Sequence, residues 1–175
     1  MNLKACVYQH QQAFKHKVVE ALAEKYSMSV EQVLDKNKEV LERYVRERYK
    51  GVMQAVSKIQ EYKRPVVLSI RRDPCSDDVC SICKRDQPHI EELKRVYGDR
   101  ADFYDIFDSS PEAAIYHVIY QNKGEKLLPL TAIIYKSEVK KYWSGRPVEV
   151  GEYRKYLDLP DCQTILCTNN LMKEK

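Results

Sequence analysis

The sequence has no long hydrophobic run, and this absence excludes an integral membrane protein. None of the apolar stretches among the 175 residues reaches the roughly 18 residues that a membrane-spanning helix needs. The amino-terminal segment is polar after residue 8 and lacks the apolar stretch of a secretory signal. We therefore expect a cytoplasmic protein that has no membrane partner.

The sequence also lacks the glycine-rich motifs of nucleotide-binding proteins. Neither the P-loop motif nor GxGxxG occurs, and the whole chain has only 5 glycines. Positive charge is not concentrated either: residues 1–64 carry 13 basic and 8 acidic side chains, whereas nucleic-acid-binding proteins show a dense basic stripe. With 43% hydrophobic and 32% charged residues, the composition is that of a folded domain. We therefore expect a globular protein without a nucleic-acid partner.

Residues 1–63 contain no proline and a single glycine, which favours a helical region. Within this region, Ser29 followed by Gln32 fits a capping box, so a helix is predicted to begin directly after Ser29. Apolar residues then recur at helical spacing as far as Ile59, and a bend near Gly51 is compatible with them. Their heptad-like spacing suits packing on the rest of the chain or on a second copy, which leaves a homo-oligomer possible.

From Pro65 onward the pattern changes to that of an α/β domain. Apolar, β-branched runs predict strands, and apolar residues at helical spacing predict helices, in the order β-α-β-α-β-β-α. The predicted strands cover residues 66–70, 101–107, 130–135 and 139–143, and the predicted helices cover 81–97, 113–120 and about 149–158. We divide the chain into a helical region, 1–63, an α/β domain, 64–160, and a carboxy-terminal tail, 161–175.

Two of the 6 cysteines, Cys80 and Cys83, lie where the first predicted strand leads into its helix. Thiols at this spacing on the first turn of a helix can close a small disulfide, and the free N–H groups there favour a thiolate on the first of them. Because the thiolate is the attacking species in disulfide exchange, this pair is the main candidate for catalysis. Zinc sites use the same spacing, so the pair alone does not decide between redox and metal chemistry.

The context of the pair resembles the thioredoxin-like superfamily over residues 65–158. The run Cys80-Ser-Ile-Cys83-Lys84, with Pro88 five residues after Cys83, resembles that family's CxxCK…P. The order of predicted strands and helices resembles the family's order as well. The resemblance implies an α/β thioredoxin-like fold, a central mixed sheet flanked by helices, which here carries an N-terminal α-helical extension.

Residues 127–131 resemble the cis-proline loop of the same family, with Pro129 placed 46 residues after Cys83. In that family the proline faces the dithiol and the preceding residue pairs with the bound peptide, so the resemblance implies substrate contact by Leu128 and Pro129. It also implies thiol–disulfide oxidoreductase activity, in which the Cys80 thiolate attacks a substrate disulfide and Cys83 resolves the mixed disulfide. The implied partners are protein disulfide substrates and a reductase or small thiol, without an organic cofactor.

The chain departs from the family pattern close to the dithiol. Val79 stands where the family usually has tryptophan, and the loop between the first strand and Cys80 is several residues longer than usual. The family also buries an acidic residue in the first strand, where it assists proton transfer. This strand offers Ser69 near that place and no carboxylate. We therefore expect a thioredoxin-like oxidoreductase rather than a housekeeping thioredoxin.

Because Cys75 lies close in sequence to Cys80, the site has alternatives to a dithiol of two cysteines. It is a candidate third redox thiol that exchanges with Cys80. The spacing Cys75-x4-Cys80-x2-Cys83 also occurs in plant-type iron–sulfur ferredoxins. In this alternative, Cys162 or Cys167 supplies a fourth ligand for an iron–sulfur cluster or for zinc. A non-catalytic adaptor on the same fold is a further alternative. Cys6 stands alone in a helical segment, and we expect it to be a packing residue.

Overall fold

The computed structural model describes residues 1–121 and 127–158. Three helices come first: α1 (Leu3–Tyr26), α2 (Val30–Arg48) and α3 (Lys50–Glu61). They are followed by β1 (Val66–Arg71), α4 (Ser81–Tyr97), β2 (Asp102–Phe107), a 3₁₀ turn (Pro111–Ala114), α5 (Ile115–Ile119), β3 (Leu130–Tyr135), β4 (Glu138–Ser144) and α6 (Val150–Leu157). The predicted order of strands and helices is confirmed. No helix in these two described ranges is both long and apolar enough to cross a membrane.

The four strands form one mixed sheet in the order β2-β1-β3-β4. β1 and β2 run parallel, and α4 provides the crossover that parallel neighbours need. β3 lies antiparallel to β1, and β4 pairs antiparallel with β3 through a tight turn at Lys136 and Ser137, both of which have positive φ. With helices on both faces, this is the sheet of a thioredoxin-like fold, so the predicted fold class is confirmed.

The side chains of β1 alternate between two hydrophobic cores. Leu68 and Ile70 belong to the larger core, which also contains residues of α1, α3 and α5. Val67 belongs to the smaller core, with residues of α4 and α6. Ser69 and Arg71 share the α4 face with Val67 by the same alternation, and both are buried. The face of β1 beneath the start of α4 therefore carries polar groups inside the protein.

The N-terminal helical extension packs directly on the sheet. Leu3 and Cys6 of α1 are buried in the larger core. Asn2 forms an isolated antiparallel bridge with Glu138, and the Leu3 N–H donates to the Ser137 carbonyl at 2.8 Å. The first residues of the chain thus cover part of the edge strand β4, whose unpaired backbone groups would otherwise face solvent.

The predicted capping box at the start of α2 is confirmed. The Gln32 N–H donates to the Ser29 hydroxyl at 3.2 Å, and the Ser29 N–H donates to the Gln32 side-chain oxygen at 2.9 Å. The expected bend near Gly51 is a break between two helices, since Tyr49 caps the end of α2 and the start of α3. The division of the chain into 1–63, 64–160 and 161–175 stays a prediction.

Gly51 lets α3 approach the turn that precedes α5. A Cβ atom at this position would lie 2.2 Å from the Pro111 carbonyl oxygen and 2.4 Å from the carbonyl carbon, and both are backbone atoms. We expect Gly51→Ala to lower the free energy of unfolding by about 1–3 kcal/mol, because the two backbones must move apart. Urea denaturation of the native protein and the variant measures this difference.

Gly151→Ala is the matched control, because nothing lies within 4 Å of a Cβ atom at that position of α6. Alanine favours a helix over glycine, so the control should be as stable as the native protein or more stable by up to about 1 kcal/mol. Equal free energies of unfolding for the native protein and Gly51→Ala would contradict the close approach of Gly51 to Pro111.

Candidate active site

Cys80 and Cys83 form a disulfide at the start of α4, with their Cα atoms 5.2 Å apart. Cys80 is the N-cap residue of the helix, and Cys83 lies in its first turn. The loop after β1 brings the pair to the edge of the sheet where the parallel strands β1 and β2 both end. The predicted ability of these two thiols to close into a disulfide is confirmed.

The two sulfurs differ in access and in electrostatics. Cys80 is partly exposed, whereas Cys83 exposes only 8% of its surface. The Cys83 N–H, one of the free amides at the start of α4, donates to the Cys80 sulfur at 3.1 Å. This donor and the helix dipole favour negative charge on Cys80 once the disulfide is opened. Cys80 is therefore suited to meet a substrate, and Cys83 is suited to react from inside the protein.

The peptide group that joins Leu128 to Pro129 lies beside the disulfide. The peptide bond between them is cis, and the Leu128 carbonyl oxygen is 3.8 Å from the Cys80 sulfur. Both side chains are buried, whereas 45% of the preceding Leu127 is exposed. Contact of Leu128 and Pro129 with a substrate stays a prediction, and it would involve the main chain rather than the two side chains.

A cavity of about 420 Å³ opens beside the disulfide. Cys80 and Cys83 line it together with Val79 and Phe107, whose exposed fractions are 69% and 47%. A larger cavity, of about 890 Å³, lies between α1, α3 and the turn before α5, and neither of the two cysteines lines it. The smaller cavity is therefore the one in which a substrate would meet the disulfide.

The long loop that bounds the smaller cavity is held to the end of β2 through Asp73. The Asp73 N–H donates to the Asp108 carboxylate at 2.9 Å, and the Asp73 carboxylate accepts from the Ser109 hydroxyl and from the Cys75 N–H. Hydrogen bonds from Ser109 and Cys75 hold the pKa of Asp73 below its usual value. Arg72 adds an ion pair with Asp108 at 2.9 Å. The extra length of this loop thus forms an anchored wall of the cavity.

Cys75 is exposed and free, and it lines a second groove rather than the cavity of the disulfide. Its role as a third redox thiol stays a prediction. Within residues 1–121 and 127–158, no group of three or more His, Cys, Asp or Glu side chains is arranged to hold a metal ion. Cys162 and Cys167 lie outside the described residues, so the four-cysteine alternative also stays a prediction. Cys6 packs in the larger core, as expected.

The sequence interpretation missed a charged pair beneath the disulfide, formed by Arg71 and Asp86. Arg71 ends β1 with 7% of its surface exposed, and Asp86 of α4 has none. The two side chains form an ion pair. One signal was present in the sequence, because Asp86 shares helical spacing with Ile90 and Leu93 and so lies on the apolar stripe of α4. A carboxylate in that stripe is buried, and a buried carboxylate requires a partner.

Burial raises the pKa of Asp86, and the Val148 N–H and the Arg71 guanidinium oppose this shift because they favour the charged carboxylate. Burial also raises the pKa of Tyr153 in α6, and the charge of Asp86 adds to that shift. Both shifts follow from the burial of these side chains, where solvent screens a charge less than it does at the surface.

Comparison with known proteins assigns the chain to no family. No family model matches the sequence, and no curated protein matches it. Among solved structures, thioredoxin O2 from Arabidopsis thaliana in its oxidised state is similar at 18% sequence identity and a TM-score of 0.43. The match covers 60% of this chain and 82% of that chain. The fold assignment rests on strand order and pairing, and this similarity carries no argument about activity.

Proposed function

We propose that the protein is a thiol–disulfide oxidoreductase that exchanges disulfides through Cys80 and Cys83. The observation that carries the proposal is the asymmetry of the pair: an accessible sulfur at a helix N-terminus is bonded to a buried sulfur in the first turn. Such a pair separates the two steps of disulfide exchange, which are attack on a substrate and resolution of the intermediate. The reaction needs no organic cofactor, because a partner reductase or a small thiol supplies the electrons.

In the reducing direction, the reaction starts from the open dithiol. The Cys80 thiolate attacks one sulfur of a substrate disulfide, and the other substrate sulfur leaves as a thiolate that takes a proton from solvent. Cys83 then loses its proton and attacks the Cys80 sulfur, which closes the intramolecular disulfide and releases the second substrate sulfur. Two electrons pass from the protein to the substrate, and the reductase or small thiol returns them.

The surroundings of Cys80 favour a polypeptide as the substrate. Val79 and Phe107 present exposed apolar surface in the same cavity, and Leu127 does so next to the cis peptide bond. A protein substrate that covers these apolar groups would gain free energy by removing them from water. The Leu128 carbonyl beside the Cys80 sulfur adds an acceptor for backbone pairing, which supports substrate contact by Leu128 and Pro129.

Reduction of insulin disulfides in the presence of dithiothreitol tests the proposal. We expect the native protein to accelerate the reaction and Cys80→Ser to abolish the acceleration, because the attacking sulfur is lost. Cys75→Ser is the matched control, since it removes an exposed thiol from the adjoining loop, and it should keep most of the activity. If Cys80→Ser retains full activity, the assignment of Cys80 is wrong.

Phe107→Ser tests whether a protein substrate covers the exposed apolar side chains of the cavity, Val79 and Phe107. The variant loses the apolar contact between the Phe107 ring and the substrate, which is worth on the order of 1 kcal/mol. This loss should lower kcat/KM for insulin about fivefold. Reduction of hydroxyethyl disulfide, which is too small to bury the Phe107 ring, should change by less than about twofold. Tyr8→Ser, at an exposed aromatic of α1 outside the cavity, should alter neither rate. Equal losses with both substrates would mean that Phe107 acts on the dithiol instead.

A further inference from the structure

Each of the three nitrogens of the Arg71 guanidinium donates at least one hydrogen bond beneath the dithiol. Its Nε donates to the Ser69 hydroxyl at 2.8 Å, and its Nη1 donates to the Gln87 side chain at 2.7 Å and to the Cys83 carbonyl at 3.3 Å. Its Nη2 donates to the Asp86 carboxylate. Because the guanidinium presents its donors in a planar fork, one side chain of β1 hydrogen-bonds to three residues in the first two turns of α4.

Asp86 is held from its other side by the segment that precedes α6. Its Oδ1 accepts the Val148 N–H at 2.9 Å, while its Oδ2 accepts from Arg71. The carboxylate has no exposed surface. Arg71 and Asp86 therefore form a buried ion pair whose charges are both hydrogen-bonded, in direct contact with the main chain of Cys83.

The stability of the fold does not explain why the chain carries this pair. Lost hydration of two buried charges offsets most of their attraction, and apolar side chains of similar volume often serve a fold as well or better. The position of the pair points to a role in the redox chemistry. Arg71 lines the same cavity as Cys80 and Cys83, and a buried positive charge near a thiolate stabilises it. Arginine keeps its charge at any physiological pH, so a compensating charge must come from a neighbour.

We propose that Arg71 and Asp86 are positioning residues that set the redox equilibrium of the dithiol, an inference that rests on the proposed oxidoreductase function. Arg71 places a buried positive charge beneath the first turn of α4, in contact with the Cys83 carbonyl. Asp86 cancels the charge of Arg71, so the Cys80 thiolate gains little stabilisation from that charge. Because a stabilised thiolate makes the reduced form more stable, the compensated pair keeps the dithiol a better electron donor.

Exchange with glutathione reports on this equilibrium. Two reduced glutathione molecules transfer two electrons and two protons to the Cys80–Cys83 bond, which yields the dithiol and one oxidised glutathione. The Cys80 thiol then releases its proton to solvent to the extent that its surroundings favour the thiolate. Any added stabilisation of the thiolate therefore raises the fraction of dithiol at a fixed glutathione ratio.

The full chain and its Asp86→Asn variant are equilibrated at neutral pH with graded ratios of reduced to oxidised glutathione, and the dithiol is counted by alkylation and mass spectrometry. Asparagine retains an oxygen for the Val148 N–H but leaves the Arg71 charge uncompensated. We expect the equilibrium constant for reduction to rise about tenfold, which corresponds to about 30 mV. A purely structural role for Asp86 would not move this constant in the reducing direction.

Two control variants separate the charge of Asp86 from general effects. Glu92→Gln removes a carboxylate from the exposed side of the same helix, and it should leave the constant within about twofold of the native value because solvent screens that charge. Arg71→Met combined with Asp86→Asn removes both buried charges. This double variant should also lie within about twofold of the native value, since no uncompensated charge remains.

An unchanged or lowered constant in Asp86→Asn overturns the proposal, and so does a double variant that keeps the tenfold rise. If Asp86→Asn alone does not fold, the double variant decides, because it contains no lone buried charge. If the equilibrium constant for reduction of the double variant then differs from the native value by more than about fivefold, the proposal is also overturned. A native protein in which Cys80 and Cys83 form no reversible couple would instead refute the proposed function itself.

Discussion

Cys83→Ser should trap a substrate on the protein as a stable mixed disulfide. Cys80 can still attack a substrate disulfide in this variant. The variant lacks the Cys83 sulfur, which would otherwise attack the mixed disulfide and release the substrate. Turnover should fall to the uncatalysed rate while a covalent adduct accumulates on Cys80. Intact-mass spectrometry should show the mass of one substrate chain added to the protein, and a reducing agent should remove it.

Cys80→Ser is the matched control for this trap. It leaves Cys83 as the remaining sulfur of the pair, and Cys83 is buried with only 8% of its surface exposed. A polypeptide disulfide cannot reach that sulfur, so no adduct should form. Adducts on Cys83 in the control, or on Cys75 in the trap, would contradict the roles given to the two active-site sulfurs.

Arg71→Met should destabilise the fold far more than the loss of a surface arginine. The variant leaves the Asp86 carboxylate buried without its ion-pair partner, and breaking a buried pair in this way lowers the free energy of unfolding by about 3–5 kcal/mol. Methionine keeps much of the volume of the arginine stem, so the loss reports on charge rather than on a cavity. Chemical denaturation at neutral pH measures the difference.

Arg146→Met provides the comparison with an exposed pair. Arg146 and Glu152 form an ion pair in which 47% and 39% of the side chains are exposed, so its loss should change the free energy of unfolding by less than about 1 kcal/mol. A loss in Arg71→Met as small as this would show that Asp86 is not held in the interior as a carboxylate.

Local sequence patterns were sufficient to predict the elements of the fold. β1 and β3 are buried on both faces, so their sequences are nearly continuous apolar runs that stand out between polar loops. The predicted strand at 130–135 agrees with β3, and the predicted helix at 81–97 agrees with α4. Cys80 and Cys83 are neighbours along one helix, so their spacing alone predicts that they meet.

The parts of the site that escaped prediction depend on contacts between distant segments. Asp86 meets Arg71 across 15 residues of chain and Val148 across 62, and no local pattern encodes which strand end faces which turn of a helix. The burial of the Leu128 and Pro129 side chains likewise depends on what packs around them. Spacing therefore predicted the dithiol, but it did not predict the charges beneath it.

Cysteine mapping of the native protein tests the central claim most directly. The purified full-length protein is alkylated under denaturing conditions before and after treatment with dithiothreitol, and the modified cysteines are identified by mass spectrometry. We expect reductant to make both Cys80 and Cys83 newly reactive, while Cys6 and Cys75 react in both samples. The protein is also mapped after exposure to oxidised glutathione. If the alkylating reagent then still modifies Cys80 and Cys83 completely before reduction, the two cysteines are not a redox-active pair.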